Sequence, residues 1–267
     1  MTLCDAALDV LTTADPLKKV SLTYSYVKDW EESRITKIGS ATPPDQPARP
    51  DKPEVCAPRD MPRRRLGSEA GRIALIHAIA HIELNAIDLA WDIMVRFQYE
   101  DLPKEFYDDW VRVAYDEAVH FELLNDRLSD FGATYGDFPA HNGLWDAAYQ
   151  SKDDIMMRCA LVPMVLEPRG LDTTPPTVDR LRRMEDHKTA DIMERIGFEE
   201  IAHVRAGTHW FNHMAERRGL DPVETYQKII KENFKGGLKA PFNTEARNQA
   251  GLTPDYYEPL SNLEASA

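Results

Sequence analysis

The chain has 267 residues, 43% of them hydrophobic, and 32 Lys and Arg against 45 Asp and Glu, a formal charge of 32 − 45 = −13. Ordinary apolar content with modest net charge per residue excludes global disorder, and the length supports a sizeable core in one large domain or two small ones. The acidic balance argues against a general binder of nucleic acid or of anionic membranes, leaving only a local basic patch open for such a role.

No apolar run approaches the ~20 residues of a membrane-spanning helix. The opening stretch MTLCDAALDVL carries acids where a signal peptide carries basic residues. Cys4, Cys56 and Cys159 are odd in number and far apart, so they form neither a disulfide framework nor a CxxC metal knuckle. These features predict a cytoplasmic protein in a reducing setting, with no membrane partner.

Helical periodicity dominates, and no stretch alternates as a strand would, so the fold class is all-α. A short helix comes first. Asp15-Pro16 then pairs an N-cap acid with proline at the first helical position and opens a helix over 16–35. Seven prolines between Pro43 and Pro62 exclude helix or central strand there and predict an extended arm. The arm leads to Arg63-Arg64-Arg65, which with Arg59 reads as an anion or RNA contact or as a solvated surface. Four long helical stretches follow. The first two span 68–97 and 104–131. The third, over 152–169, has Ser151-x-x-Asp154 as a capping box. The fourth ends near Arg218-Gly219 and is preceded by a short helix at 177–185. Asp221-Pro222 opens one more helix to about residue 234, and the tail from Gly236 lacks periodicity.

The connection between the second and third stretches covers residues 132–151. It is far longer than a tight helix hairpin needs, and long crossovers join parallel neighbours in ferritin-like bundles. The expectation is a ferritin-like four-helix bundle over 67–219. Residues 1–66 would supply N-terminal helices and an arm packed on it, and 220–267 a C-terminal helix and tail, within one compact domain.

The helical stripes contain charges where apolar residues belong. The first stretch reads Ile76, Ala80, Glu83, Ile87, Ala90, Met94, and the second Val113, Glu117, His120, Leu124, Leu128. The third reads Met156, Ala160, Met164, Glu167, Leu171, and the fourth Ile196, Glu200, His203, Gly207, Trp210, Met214. Steps of three and four keep each set on one face. Four carboxylates facing a core are prohibitive unless something cancels their charge, and two divalent cations would do so.

The spacing repeats. Glu83 precedes Glu117-x-x-His120 by 117 − 83 = 34 residues, and Glu167 precedes Glu200-x-x-His203 by 200 − 167 = 33. A Glu and a His three apart share a helical face and can bind one ion. Either Glu-x-x-His alone is weak; the doubled pattern, each copy with its upstream Glu, is the ligand set of di-iron and di-manganese carboxylate bundles. The remaining alternative is a set of buried, hydrogen-bonded carboxyls without metal. Carboxylate and imidazole ligands suit iron, manganese or zinc, and zinc has no redox chemistry. Asp116 and Glu199, each one residue before a ligand Glu, read as acceptors for the free ring N–H of the histidines (Asp116 for His203, Glu199 for His120) or as surface acids. His77 and His81, and likewise His209 and His213, stand four apart and off the ligand faces. His187 reads as surface or a helix junction. His141 lies in the crossover, which reads as a site-capping loop or a packed Ω-loop. Pro163 and Pro168 flank Glu167 and should bend their helix.

The stretches HAIAHIELNAIDLAWD (77–92), DWVRVAYDEAVHFELLNDRL (109–128), YGDFPAHNGLWDAA (135–148) and LVPMVLEPRGLD (161–172), with the Glu200–His203 helix, resemble a bacterial ferritin-like family catalogued as a domain of unknown function. The arm, Arg63-Arg64 and Pro241-Phe242-Asn243 share the resemblance, which covers about residues 5–257. Pro168 departs from it, since a small helix former is expected after Glu167. In layout and ligand pattern the family is similar to di-iron tRNA hydroxylases. The resemblance implies a ferritin-like fold and a dinuclear centre, and no substrate.

The function expected is an oxygen-activating oxidoreductase or hydroxylase with two iron ions (manganese or a mixed pair as alternatives). O2, an organic substrate and an electron donor would be its partners, in a monomer or dimer. Met94, Met164 and Trp210 would line its pocket or simply pack. The alternative is a ferroxidase or a metal-binding protein without organic substrate; the extra helices, arm and tail burden a storage cage.

Overall fold

Helix starts follow the capping residues. In the computed structural model, which describes residues 1–57, 61, 67–235 and 237–261, Thr2 caps α1 (Leu3–Thr12) in a reciprocal box with Asp5. Asp15 caps α2 (Pro16–Glu31), with Pro16 in the first turn. Ser68 caps α3 (Glu69–Arg96), and α4 (Lys104–Asp130) follows Pro103. Helix α2 stops before residue 35, with Ser33 in the left-handed region at φ 57° just beyond its end. Every regular element among the described residues is helical, and a single bridge pairs Val55 with Ala140. The arginines 59 and 63–65 lie outside the described residues.

The described residues fall into two compact units that divide between Tyr149 and Gln150. The division lies inside the 67–219 segment expected to form one bundle. In the first unit α3 and α4 pack as a hairpin, with α1 against α3 and α2 against α4. The described residues of the proline-rich arm form neither a helix nor a regular strand, as its composition requires. The arm is tied down by the Ala48 N–H donating to the Leu11 carbonyl and by Arg96 Nη2 donating to the Pro44 carbonyl at 2.9 Å, and the segment before it is held by the Leu3 and Cys4 N–H groups donating to the Lys37 and Ile38 carbonyls. Most of the crossover after α4 is irregular, but Gly143–Gln150 forms a further helix, α5. By length and composition α3 could cross a membrane, which contiguous apolar runs did not reveal because His77, His81, Glu83 and Asn85 interrupt them. Of its most apolar window, 72% is buried inside the protein, as in a core helix.

The second unit departs further from expectation. Residues 151–153 form a turn, so Ser151 is not a helix cap. Asp154 caps α6 (Ile155–Leu161), accepting from the Met156 N–H at 2.9 Å, while Ser151 Oγ accepts from Arg158 Nε at 3.1 Å. The third stretch does not end at residue 169. It passes through a π-helical turn, Val162–Leu166, into α7 (Pro168–Arg183), which absorbs the short helix expected at 177–185. The fourth stretch, α8 (His187–Arg217), starts from an Asp186 cap, so the exposed His187 sits at a helix start. After α9 (Pro222–Asn233) the tail is not wholly irregular: α10 (Thr244–Gln249) and α11 (Pro254–Tyr257) are short helices whose lengths fall below what periodicity can reveal.

The prolines explain the π turn and the tail together. Pro163 and Pro168 lack N–H groups, and the ladder shifts to a Glu167 N–H to Val162 carbonyl bond of 3.2 Å. The Met164 carbonyl, four residues before Pro168, accepts instead from the buried Tyr226 hydroxyl at 3.0 Å. Pro175 deprives the Leu171 carbonyl in the same way, and Asn243 Nδ2 donates to it at 3.2 Å. Side chains of the C-terminal segment thus replace helical donors that the prolines removed. Opposite the π turn, α8 approaches so closely that a Cβ at Gly207 would lie 2.3 Å from Pro163 Cβ.

Two substitutions check this packing. Gly207→Val should lower stability by about 1–3 kcal/mol through overpacking, and Tyr226→Phe by about 1–3 kcal/mol through a carbonyl left buried without its donor. Urea denaturation midpoints would show both; an unchanged midpoint for either removes the corresponding contact from the account.

Candidate metal centre

The stripes read from the sequence are buried as predicted. In α3 and α4 every stripe residue, Glu83, Glu117 and His120 included, is buried. In α8 the same holds for Ile196, Glu200, His203, Trp210 and Met214. Around the π turn Met156, Ala160, Met164 and Leu171 are buried, whereas Glu167 is only half-buried at the junction of the π turn with α7.

In the first unit Glu83, Glu117 and His120 converge, each offering a donor atom within 4.8 Å of the others. His120 Nδ1 lies 3.4 Å from Glu83 Oε2 and 3.6 Å from Glu117 Oε2. The hairpin of α3 and α4 makes this convergence, because the charged position falls in the middle of each apolar face. Glu83 is 4% exposed. Burial, and then the neighbouring Glu117 carboxylate, hold its carboxyl well above the usual range, while His120 draws it down. In the second unit Glu200 and His203 repeat the local geometry, with His203 Nδ1 at 3.3 Å from Glu200 Oε1. The three donors of the first unit suit a divalent cation: two carboxylates and an imidazole, removed from water and close enough to share one ion. Asp116 and Glu199 are each engaged by an arginine one turn earlier on their own helix, Arg112 Nε and Arg195 Nε, both at 3.1 Å. Asp116 is buried and Glu199 half-buried.

The polar face of α3 carries a second cluster that spacing alone left open. Lys19 of α2 and Asp88 of α3 form an ion pair with both side chains 2% exposed. Burial raises the Asp88 carboxyl above its ordinary value and Lys19 opposes that. Arg49 of the arm bonds Asn85. His81 Nε2 faces the His141 carbonyl at 3.2 Å, so that nitrogen carries the proton, and Nδ1 accepts from the Tyr135 hydroxyl at 2.7 Å. Burial pushes His81 down to about 4, keeping it neutral. His77 Nε2 accepts from the Gly136 N–H at 2.8 Å, and its ring stacks on Tyr135 at 5.3 Å. His77, His81 and His141 therefore anchor the crossover to α3. His209 and His213 instead flank the Trp210 ring, at 4.7 and 5.2 Å. The partner of Asp88 escaped the sequence reading, because a lysine on an amphipathic helix carries no mark of burial.

The fold and the site define an all-helical protein with carboxylate–imidazole clusters inside its helical cores. The chain belongs to the DUF455 family, proteins of unknown function, which it matches over residues 12–258. An uncharacterized protein of Haemophilus influenzae is 39% identical over 257 residues, 91% of this chain and 88% of that protein. No solved structure matches the chain.

The Lys19–Asp88 pair makes a direct prediction. Lys19→Met leaves a buried carboxyl without its cation and should cost about 3–5 kcal/mol, whereas Lys19→Met with Asp88→Leu should recover most of that loss. Chemical denaturation of the two variants and the parent measures it; equal losses in single and double variants would contradict a compensated pair.

Proposed function

We propose that Glu83, Glu117, His120, Glu167, Glu200 and His203 hold a dinuclear metal centre of two iron ions, in a ferritin-like arrangement. On this reading the protein is an oxygen-activating oxidoreductase of the hydroxylase kind, acting on an organic substrate. The observation that carries the reading is the buried triad Glu83, Glu117 and His120, in which two carboxylates are brought together out of water instead of being kept apart. The repeat of the same residues at nearly the same spacing, down to the Glu200–His203 contact, supports two ions and not one. Burial and then the Glu117 charge raise the Glu83 carboxyl, and a divalent cation beside the two carboxylates would oppose both.

Two ferrous ions would supply electrons for reducing O2, which carboxylates and imidazoles cannot do. The chain's own contribution is to fix the donors and exclude water. The apolar neighbours of each ligand, Ala80 and Ile87 around Glu83 and Val113 and Leu124 around Glu117 and His120, are 0–4% exposed and keep the cluster dry. Tyr226 and Gly207 hold the π turn that precedes Glu167. Asp116 and Glu199 would accept from the ligand histidines and fix their ring orientation.

The experiment is metal analysis of protein reconstituted anaerobically with ferrous iron, followed by oxygen uptake. About two irons per chain are expected, with loss of metal in Glu117→Ala and in Glu200→Ala and no loss in Lys19→Met. With an electron donor added to return the iron to the ferrous state, oxygen uptake that still ceases after a single oxidation of the bound iron would favour the ferroxidase or binding alternative. Near-zero metal in the folded parent protein would overturn the centre itself.

A further inference from the structure

The second unit contains a cleft of about 380 Å³ between the end of the π turn, the start of α7 and the C-terminal segment. Among the described residues four cations line it, Arg169, Lys235, Lys239 and Arg247, against one carboxylate, Asp172. That is a local balance of 4 − 1 = +3 in a chain whose total is −13. The single carboxylate is already committed. Asp172 accepts from Arg247 Nε and Nη2 at 2.9 and 2.6 Å and from the Asn243 N–H at 2.9 Å.

The cations are not equally committed. Arg247 is 3% exposed, and its Nη1 has no hydrogen-bond partner among the described residues. Leaving a charged donor buried in this way is costly, and an anion is the partner that would satisfy it. Lys235 and Lys239 are exposed and form no ion pair among the described residues. Arg169 Nη1 donates to the Lys239 carbonyl at 2.9 Å, which ties Arg169 to the segment that carries Lys239, and the same Nη1 lies 3.7 Å from Asp172 Oδ2. The half-exposed ring of Phe242 lies 4.8 Å from the Arg247 guanidinium and gives the same cleft a flat apolar wall. A cleft of this volume with a few convergent polar groups and an aromatic wall has the form of a small-molecule site.

We propose that this cleft binds an organic anion, a phosphate or carboxylate group carried on a flat apolar moiety. The anionic group meets Arg169, Lys239 and the unsatisfied Nη1 of Arg247, and the apolar part lies along Phe242. The site stands independently of the metal centre, and its test needs no metal.

Calorimetric titration of the full chain with phenyl phosphate, benzoate and phenol tests it. One site per chain is expected, with at least one of the two anions binding about tenfold or more tightly than phenol; which anion binds better separates a phosphate from a carboxylate ligand. Arg169→Glu with Lys239→Glu should weaken that binding by more than about tenfold. Arg169 also bonds the Lys239 carbonyl, so a melting curve checks that the double variant is folded, and Lys239→Glu alone, which leaves that bond in place, should weaken binding in the same direction. Phenol binding as tightly as either anion, unchanged affinity in the charge-reversed variant, or no binding at millimolar concentrations would overturn the proposal.

Discussion

A carboxyl group inside a helical core is tolerated only when something nearby cancels its charge or takes its hydrogen bonds. That requirement organises α3, which carries three buried acids. Asp88 is met by Lys19 from α2, and Asp92 by Arg96 one turn along, whose Nη2 reaches it at 2.7 Å. Glu83 is treated differently in kind. It is placed against a second buried carboxylate, Glu117, and an imidazole, so its surroundings add negative charge to the problem burial creates. Two acids on one helix are paired with cations of the chain itself, whereas the third faces a carboxylate and an imidazole, a donor set that could hold a cation. This contrast within a single helix is the physical ground for the proposed metal centre.

The second unit is governed by a related constraint on the backbone. Four prolines, 163, 168, 175 and 176, fall in what would otherwise be one long helix, and each removes a donor from the ladder. The chain answers with a π turn and with donors imported from later segments: the Tyr226 hydroxyl for Met164 and the Asn243 amide for Leu171. The half-buried Glu167 stands at the end of that turn. The C-terminal segment is thereby an integral part of the unit, and in packing against α7 it also forms the walls of the basic cleft.

The sequence revealed what depends on periodicity and lost what depends on partners. Glu83, Glu117, His120, Glu200 and His203 were legible because a charge inside an apolar stripe contradicts its neighbours, and each is buried. The boundaries of α3 and α4 were legible from Ser68 and from Leu102-Pro103. The continuation of the third stretch to Arg183 was not, because Pro175-Pro176 reads as a break until Asn243, some seventy residues later, supplies the missing donor. Ser151 misled for a local reason, since a three-residue turn hands the cap to Asp154. Lys19 gave no sign of its burial, and neither did the two short tail helices. His77 and His81 were legible as lying off the ligand faces, but their role emerged only with Tyr135 and Gly136 in place around them.

The central claim is that the repeated triads are metal ligands. Anomalous diffraction at the iron absorption edge, from crystals of iron-loaded protein, examines it most directly. The account predicts two anomalous peaks per chain, bonded to Glu83, Glu117, His120, Glu167, Glu200 and His203. Ordered side chains at both triads with no anomalous peak beside either, their carboxyls held by protein hydrogen bonds alone, would contradict it.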